Sequence, residues 1–182
     1  GIFRDLLKPK RVLIGIEDNK PEAVAAMTAA VKALGSDFAE FEVIAVPTRY
    51  PAGGAKQLIR VLTGKEVPAN KRSPEMGGQC FNVATAYTAW RALGHGEPVI
   101  SRLVTLTGNV AEPRNYEVLI GTPMDELLKL ATPHPDTDRY LMGGPMMGFE
   151  IPSLDSPVVK AANCIIAGSP ALFPPPPPEM PC

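Results

Sequence analysis

The segment "RVLIGIEDNKPEAVAAMTAAVKALG" (Arg11–Gly35) gives the clearest indication of the fold class. Its first six residues form a short, continuous apolar run rich in β-branched side chains, which is typical of a strand buried on both faces. Apolar side chains then recur at helical spacing, at Val24, Met27, Val31 and Leu34. Asn19 and Glu22 predict a capping pair around Pro21, and Gly35 predicts the helix end.

A second apolar run, "EFEVIAVPT" (Glu40–Thr48), follows this helix and predicts another strand. The order is therefore β-α-β, and its strands should be parallel with a right-handed crossover. A short helix with Leu58, Val61 and Leu62 along one face should end at Gly64. A longer helix comes next, because apolar side chains recur at helical intervals from Val83 to Leu93. This alternation predicts an α/β fold for the first half of the chain.

After Gly94 the predicted elements no longer alternate between strand and helix. "SRLVTLTG" and "NYEVLIG" predict a hairpin, "TPMDELL" predicts a helix that begins with a Thr cap, and "RYLMGGPMMGFEIP" and "VVKAANCIIAG" predict further strands. The order β-β-α-β-β is typical of a β-grasp module, with a boundary near Gly96–Pro98. In "GGPMMGF" the methionines could form an exposed contact, although core packing is the commoner role.

Composition excludes several classes of function. The chain has 182 residues, 18 Lys and Arg against 19 Asp and Glu, and a net charge of −1, so we expect no nucleic-acid partner. Its apolar runs are shorter than the ~20 residues of a membrane span, and the start is not typical of a signal peptide. Three cysteines favour free thiols over a disulfide framework, the two histidines predict no zinc site, and no nucleophile–base arrangement is recognisable.

The first candidate site is Glu17, Asp18 and Asn19, which follow the first strand. In open α/β sheets, ligands bind outside the carboxyl ends of the strands. The alternative interpretation is that these polar residues only cap the following helix.

Two glycine-rich segments are further candidates. Gly53 and Gly54 open a helix whose unpaired amides could hold a phosphate, with Lys56 adding charge, but the same residues also suit a plain structural turn. Asn82 and Thr85 place an amide and a hydroxyl in the first turn of the next long helix. A flavin ring needs such groups, and so does a helix cap.

Seven phrases, in order, resemble one family: "LIGIEDNKPEA", "PTRYPAGGAKQLIRVLTGKEVP", "NVATAY", "GEPVISRLVTLTG", "GTPMDELL", "GGPMMGF" and "SPVVKAANCIIA". They resemble the C subunit of Rnf (Rsx) electron-transport complexes, which is itself similar to the NADH-oxidising flavoprotein subunit of respiratory complex I. The resemblance implies a partial Rossmann-like FMN- and NADH-binding domain over 1–96, a soluble-ligand-binding β-grasp (SLBB) domain over 97–168 and a proline-rich linker over 169–182.

The resemblance also implies roles for residues. Tyr50, Gly53 and Gly54 match the turn that approaches the flavin, and Asn82 and Thr85 match the segment beside its ring and phosphate. Glu17, Asp18, Asn19 and Lys56 lie in neighbouring motifs and are added as cofactor-binding candidates. The chain reads "FNVATAY" where the family reads closer to "QNVGTAY", so a polar amide and a glycine are replaced by Phe81 and Ala84.

The ending "PPPPPEMPC" resembles the lead-in to the family's iron–sulfur motif, with Cys182 as its first ligand. A [4Fe–4S] cluster takes four protein ligands, so we expect clusters in the full-length protein and no metal on this chain. The family's glycine-rich flavin loop is expected before Gly1, and we therefore expect weak flavin binding or none by the chain alone.

The implied function is electron transfer between NAD(H), FMN and iron–sulfur clusters, coupled to ion transport. As part of an NADH/ferredoxin oxidoreductase, the protein would lie peripherally at the cytoplasmic face of the bacterial inner membrane. The chain alone would be soluble and inactive, with the other Rnf subunits as partners and ferredoxin reached indirectly. The alternative is a scaffold without redox work, whose β-grasp domain binds membrane subunits or a small soluble ligand.

Overall fold

The computed structural model describes residues 1–174, which divide into two compact units with the boundary between His95 and Gly96. The first unit contains helix α1 (Ile2–Leu7), strand β1 (Val12–Glu17), helix α2 (Pro21–Ala33), strand β2 (Phe41–Val46), helix α3 (Ala55–Thr63) and helix α4 (Val83–His95). The predicted β-α-β unit is present, and β1 and β2 are parallel, with Val12 paired to Phe41 and Glu17 to Val46. The predicted α/β class is confirmed.

Gly15 allows α3 to pack closely on β1. A Cβ atom at this position would lie 3.0 Å from Leu58 Cδ1 and 3.4 Å from Leu62 Cδ1. Two of the three side chains expected to line one face of α3 therefore meet the sheet, whereas Val61 is exposed. The predicted stop at Gly64 is confirmed, since Gly64 adopts φ 71° and donates its N–H to Arg60 O.

Helix α2 begins differently from the sequence prediction. Its N-cap is Lys20, with Pro21 in the first turn and no side-chain cap, so the expected Asn19–Glu22 capping pair is wrong. Asn19 instead donates its backbone N–H to Thr48 Oγ1. The Asn19 N–H, which the capping pair would have bonded to Glu22, is bonded to Thr48 after strand β2.

The first unit has few deeply buried side chains. Among its described residues, Val46 and Val67 are the buried hydrophobic ones. The apolar spacing of α4 correctly predicted a helix, but much of that apolar face is exposed. Its exposed members are Val83, Tyr87, Trp90 and Leu93.

The second unit contains β3 (Ser101–Gly108), β4 (Arg114–Leu119), α5 (Met124–Ala131), β5 (Arg139–Met142), β6 (Phe149–Glu150) and β7 (Cys164–Gly168). The strands form one sheet in the order β4-β3-β7-β5-β6, in which β3 and β7 are parallel and the other pairs antiparallel. Helix α5 packs its apolar side on this sheet. The fully buried side chains include Val104, Leu106, Met124, Leu127, Val158 and Ile165.

Two glycine-dependent features shape this sheet. Gly108 ends β3 at φ 92°, where a Cβ atom would collide with the backbone of Ala167 in β7. The β5–β6 hairpin closes through Gly143 and Gly148, and it leaves Met146 77% and Met147 72% exposed. The expectation that these methionines pack in the core is therefore wrong, because the tight glycine turn directs them outward.

Helix α5 has Pro123 as its N-cap and no side-chain cap, so the predicted Thr122 cap is wrong. Thr122 instead accepts the Val158 N–H at its carbonyl oxygen. The predicted unit boundaries at 97–168 and 169–182 stay predictions.

Candidate functional site

Asp18 and Thr48 join the carboxyl ends of the two parallel strands. Asp18 Oδ1 accepts hydrogen bonds from Thr48 Oγ1 (2.6 Å) and from the Thr48 N–H (3.1 Å). The Asp18 N–H donates to Val46 O at 2.8 Å, and the Asn19 N–H donates to Thr48 Oγ1 at 3.3 Å. Thr48 was not predicted as a site residue, and its hydroxyl at the end of the second strand was the available signal.

These hydrogen bonds stabilise the charged form of Asp18. The Thr48 hydroxyl, and then its backbone N–H, hold the pKa of this carboxyl below its usual value. Glu17 forms an ion pair with Lys20, three residues further along. The strand ends therefore present carboxylates that are already ordered by neighbouring donors.

The turn from Tyr50 to Gly54 follows soon after Thr48. Its Tyr50–Pro51 peptide bond is cis, Gly54 donates its N–H to Pro51 O at 2.8 Å, and Tyr50 is 48% exposed. Gly54 is the N-cap of α3, and a Cβ atom there would lie 2.7 Å from Gln57 Oε1 and 3.2 Å from Pro51 O. Gly53 differs, because a Cβ atom there would meet nothing within 4 Å.

Packing inside the protein explains the absence of a side chain at Gly54 but not at Gly53. Close neighbours within the turn account for the missing side chain of Gly54. Gly53 has no such neighbour, and its backbone lies outside the left-handed region in which glycine is favoured. The protein's own packing does not explain glycine at position 53, which leaves that backbone open to approach by a ligand.

Lys56 is occupied within the protein. Its Nζ donates to Pro68 O at 2.7 Å and to Ala69 O at 3.2 Å, so it fastens the segment after α3 to the start of that helix. From the sequence, this amine was expected to add positive charge to a phosphate site. The contacts show a structural use of Lys56 beside the glycine turn.

Asn82 caps helix α4, which confirms the helix-cap interpretation of this residue. Its Oδ1 accepts the Ala84 N–H at 2.9 Å, and its carbonyl accepts the Ala86 N–H at 3.1 Å. Thr85 is exposed in the first turn. The cap uses the oxygen of the Asn82 amide, and the amide nitrogen has no hydrogen bond among the described interactions.

Phe81, at a position where the resemblance implies a polar residue, stacks on Phe3 of α1. The two ring centroids are 4.1 Å apart and the rings are inclined by 21°. Such stacking stabilises the contact between α1 and the start of α4. Phe81 therefore has a packing role.

The described hydrogen bonds link Asp18 and Asn19 to Thr48, two residues before Tyr50. None of them joins Asn82 or Thr85 to that group. Within residues 1–174, no cluster of three His, Cys, Asp or Glu residues could hold a metal ion. Cys182 lies outside the described residues, and burial raises the pKa of the Cys80 and Cys164 thiols, which keeps them protonated.

Comparison with known families defines the class of protein. Residues 1–91 match the family described as the Nuo51 FMN-binding domain, and residues 103–150 match the SLBB domain. The first match covers half of the chain and includes every candidate cofactor residue. The chain belongs to the Nuo51 FMN-binding domain family and joins that domain to an SLBB domain.

The curated relatives narrow this class to the C subunit of the ion-translocating oxidoreductase complex. The chain is 48% identical over 183 residues to this protein from Pseudomonas aeruginosa, covering 100% of the chain and 23% of that protein. Its counterpart from Yersinia pestis is 52% identical over 168 residues, covering 91% of the chain and 26% of that protein. The resemblance drawn from the seven phrases is confirmed, and the chain spans about a quarter of the length of these relatives.

Solved structures support the same fold. The air-oxidized NAD+-reducing [NiFe]-hydrogenase aligns with a TM-score of 0.70 at 19% identity, covering 88% of this chain and 33% of that one. The H2-reduced state gives a TM-score of 0.68 at 19% identity, with 89% and 34% coverage. No helix within residues 1–174 has the length and apolar character needed to cross a bilayer.

Proposed function

We propose that the whole protein transfers electrons between NAD(H), FMN and iron–sulfur clusters as a subunit of an ion-translocating oxidoreductase complex. The match of residues 1–91 to the Nuo51 FMN-binding domain carries this proposal. The names of the relatives support it, as does the NAD+-reducing activity by which the structural neighbours are described.

The residues of the first unit fit a flavin. Gly53 offers backbone without a side chain and without a packing neighbour, beside the exposed Tyr50. Asn82 keeps its amide nitrogen for a ring or phosphate oxygen while its oxygen caps α4. Thr85 adds an exposed hydroxyl in the same helical turn.

When bound, FMN can accept a hydride and release single electrons, which links nicotinamide to iron–sulfur chemistry. The chain's residues would bind and orient the cofactor. Asp18 and Thr48 would fix the ends of the strands, and so the position of the turn that begins at Tyr50. No side chain need act as a nucleophile or general base, in agreement with the protonated thiols.

Flavin titration of the whole protein tests this proposal. FMN fluorescence should be quenched on binding with micromolar or tighter affinity, and Asn82→Asp should weaken the affinity about tenfold by replacing an amide donor with a carboxylate that can still cap α4. Asn115→Asp in the second unit is the matched control, because the exposed Asn115 also uses its Oδ1 as an acceptor, from Thr105 Oγ1, and this change should leave binding intact. A whole protein that binds no FMN, or an Asn82→Asp variant with unchanged affinity, would contradict the assignment.

The location and partners complete the proposal. We place the protein peripherally at the cytoplasmic face of the bacterial inner membrane, bound to the other subunits of its complex, with ferredoxin reached through those subunits. The FMN-binding and SLBB units would then lie outside the bilayer. Protease accessibility in inverted and right-side-out vesicles measures this orientation.

A scaffold role has one observation in its favour. The β5–β6 hairpin exposes Met146, Met147 and Phe149, an apolar group held by tight glycine geometry. Exposed apolar side chains on an ordered turn are typical of contact surfaces. Replacing both methionines by Ser should impair assembly without changing FMN affinity if the hairpin is a docking element.

A further inference from the structure

Positive charge is concentrated in one part of this nearly neutral chain. Residues 1–95 carry 13 Lys and Arg against nine Asp and Glu, whereas residues 96–182 carry five against ten. Within the first unit, residues 49–78 hold six Lys and Arg against two acidic residues. The excess therefore centres on α3 and the segment that follows it. We call residues 64–76 the basic loop.

The basic loop is ordered by contacts of its own. Lys56 Nζ binds the carbonyl oxygens of Pro68 and Ala69, and Val67 is 9% exposed. The Lys71 N–H donates to Pro68 O at 3.1 Å. These contacts hold the segment against α3, so its charged side chains project from a fixed backbone.

Both acidic residues of the basic loop are already occupied. Glu66 forms a salt bridge with Arg60 at 2.5 Å, and Glu75 Oε1 accepts the backbone N–H of Arg72 at 2.8 Å. Three exposed cations are left over. Lys65, Lys71 and the Arg72 guanidinium make no ion pair with a carboxylate within residues 1–174.

We propose that the basic loop is a docking surface for an acidic patch on a partner protein. A fixed backbone lowers the entropy lost on binding, and the planar Arg72 fork suits bidentate contact with a carboxylate. The partner would offer two or three carboxylates at a spacing that matches Lys71 and Arg72.

Other anionic partners fit the basic loop less well. Adsorption to anionic lipid uses clusters of about 4–8 cations, usually with apolar side chains for insertion, whereas this loop offers three and buries Val67. Nucleic-acid binders commonly neutralise about 6–10 phosphates along an extended basic surface. Three exposed cations on an ordered loop match a small acidic patch on a protein surface.

The cations of the basic loop are different side chains from the proposed flavin contacts, and Lys56 fastens the loop to the start of α3 beside the glycine turn. The Lys71 and Arg72 side chains are not among the flavin-binding candidates, and the bond from Arg72 to Glu75 uses only the Arg72 backbone N–H. Charge reversal at these two side chains should therefore leave FMN binding unchanged. Docking and cofactor binding can be measured independently in the same protein.

Fluorescence anisotropy with a labelled peptide of ten glutamates tests the proposal, using the full chain. We expect binding in 20 mM salt that weakens at least tenfold in 300 mM salt, because the Debye length falls from about 20 Å to about 6 Å. Lys71→Glu combined with Arg72→Glu should weaken binding at least tenfold. Lys10→Glu combined with Lys32→Glu makes the same change in net charge elsewhere in the unit and should have less than a twofold effect.

Several results would overturn the proposal. Equal losses in the two double variants would mean that net charge alone attracts the peptide. Stronger binding to vesicles containing 30% anionic lipid, or to a ten-nucleotide single-stranded DNA, would replace the acidic protein by that partner. Dimers abolished by Lys71→Glu and Arg72→Glu would identify the acidic half of a second copy as the occupant. Urea unfolding of each variant checks that loss of binding is not loss of fold.

Discussion

Replacing Gly53 by alanine separates cofactor contact from folding. A Cβ atom at Gly53 would meet no protein atom within 4 Å, and the backbone there does not need a left-handed conformation. Alanine should therefore increase the free energy of unfolding by about 0.4–1 kcal/mol, because it restricts the unfolded chain. The substitution should not disturb the turn.

Flavin binding should respond in the opposite direction. Atoms in van der Waals contact lie about 3.5–4.0 Å apart, so a methyl group added between the turn and a flavin held against Gly53 would force the ring away. We expect the FMN affinity of the whole protein to fall at least tenfold, which corresponds to about 1.4 kcal/mol of binding free energy. FMN fluorescence titration and urea unfolding measure the two effects on the same sample.

Gly64→Ala is the matched control, at the other end of α3. Gly64 has φ 71°, so alanine there should cost roughly 1–2 kcal/mol of stability while leaving FMN affinity within twofold. The two variants should thus show opposite patterns. Unchanged FMN affinity in Gly53→Ala, or a loss of more than about 1 kcal/mol in its stability, would refute the interpretation of this turn.

Three further predictions concern the strand ends and the sheet. The hydrogen bonds from Thr48 lower the pKa of Asp18 in the folded protein. The Asp18 carboxylate therefore stabilises the fold at pH values above its usual pKa of 3.8, and this stabilisation is lost as the pH falls through the lowered folded-state pKa. Asp18→Asn should reduce this acid-side decline in urea-unfolding stability, and an unchanged pH profile would contradict it. Gly108→Ala should cost more than about 2 kcal/mol in thermal unfolding, since φ 92° and the adjacent β7 backbone leave no room for Cβ. Leu106 is fully buried, so Leu106→Ala should lower the free energy of unfolding by about 2–5 kcal/mol. Leu103 lies on the exposed face of the same strand, so Leu103→Ala should lower it by less than about 1 kcal/mol. Similar losses in the two variants would refute the register of β3.

Local patterns predicted much of the fold. The apolar run that became β1, the helical spacing of α2 and the stop at Gly64 depend on neighbouring residues, so they can be read from the sequence. The Asn82 cap was also readable, since its oxygen binds an N–H two residues away. Helix α1 was not predicted, because its six residues show too little periodicity.

Partners distant in sequence could not be predicted. Thr48 binds Asp18 across 30 positions, and a second bond to Thr48 replaced the cap expected from Asn19. The Lys56 amine binds carbonyl oxygens 12 and 13 residues further on. In each case the side chain's chemistry was recognised, but its partner was set by the tertiary fold.

Of the structural properties, the burial of apolar side chains was predicted least well from the sequence. The spacing of apolar residues in α4 correctly indicated a helix, yet Trp90 is 46% exposed. Met146 and Met147 are hydrophobic residues in an apolar phrase, and the tight turn places them in solvent. Spacing shows which side chains share a face, whereas the neighbours of that face depend on the rest of the molecule.

The position of β7 in the sheet affects when the second unit can fold during translation. Among the strands formed by residues 1–174, the five residues of β7 are the last of that sheet to be translated, yet they lie between the β3–β4 and β5–β6 pairs. Neither hairpin can join the other until Gly168 has left the ribosome, so earlier nascent chains would expose the inner edges of both hairpins. Each would need protection from pairing with other chains during this interval.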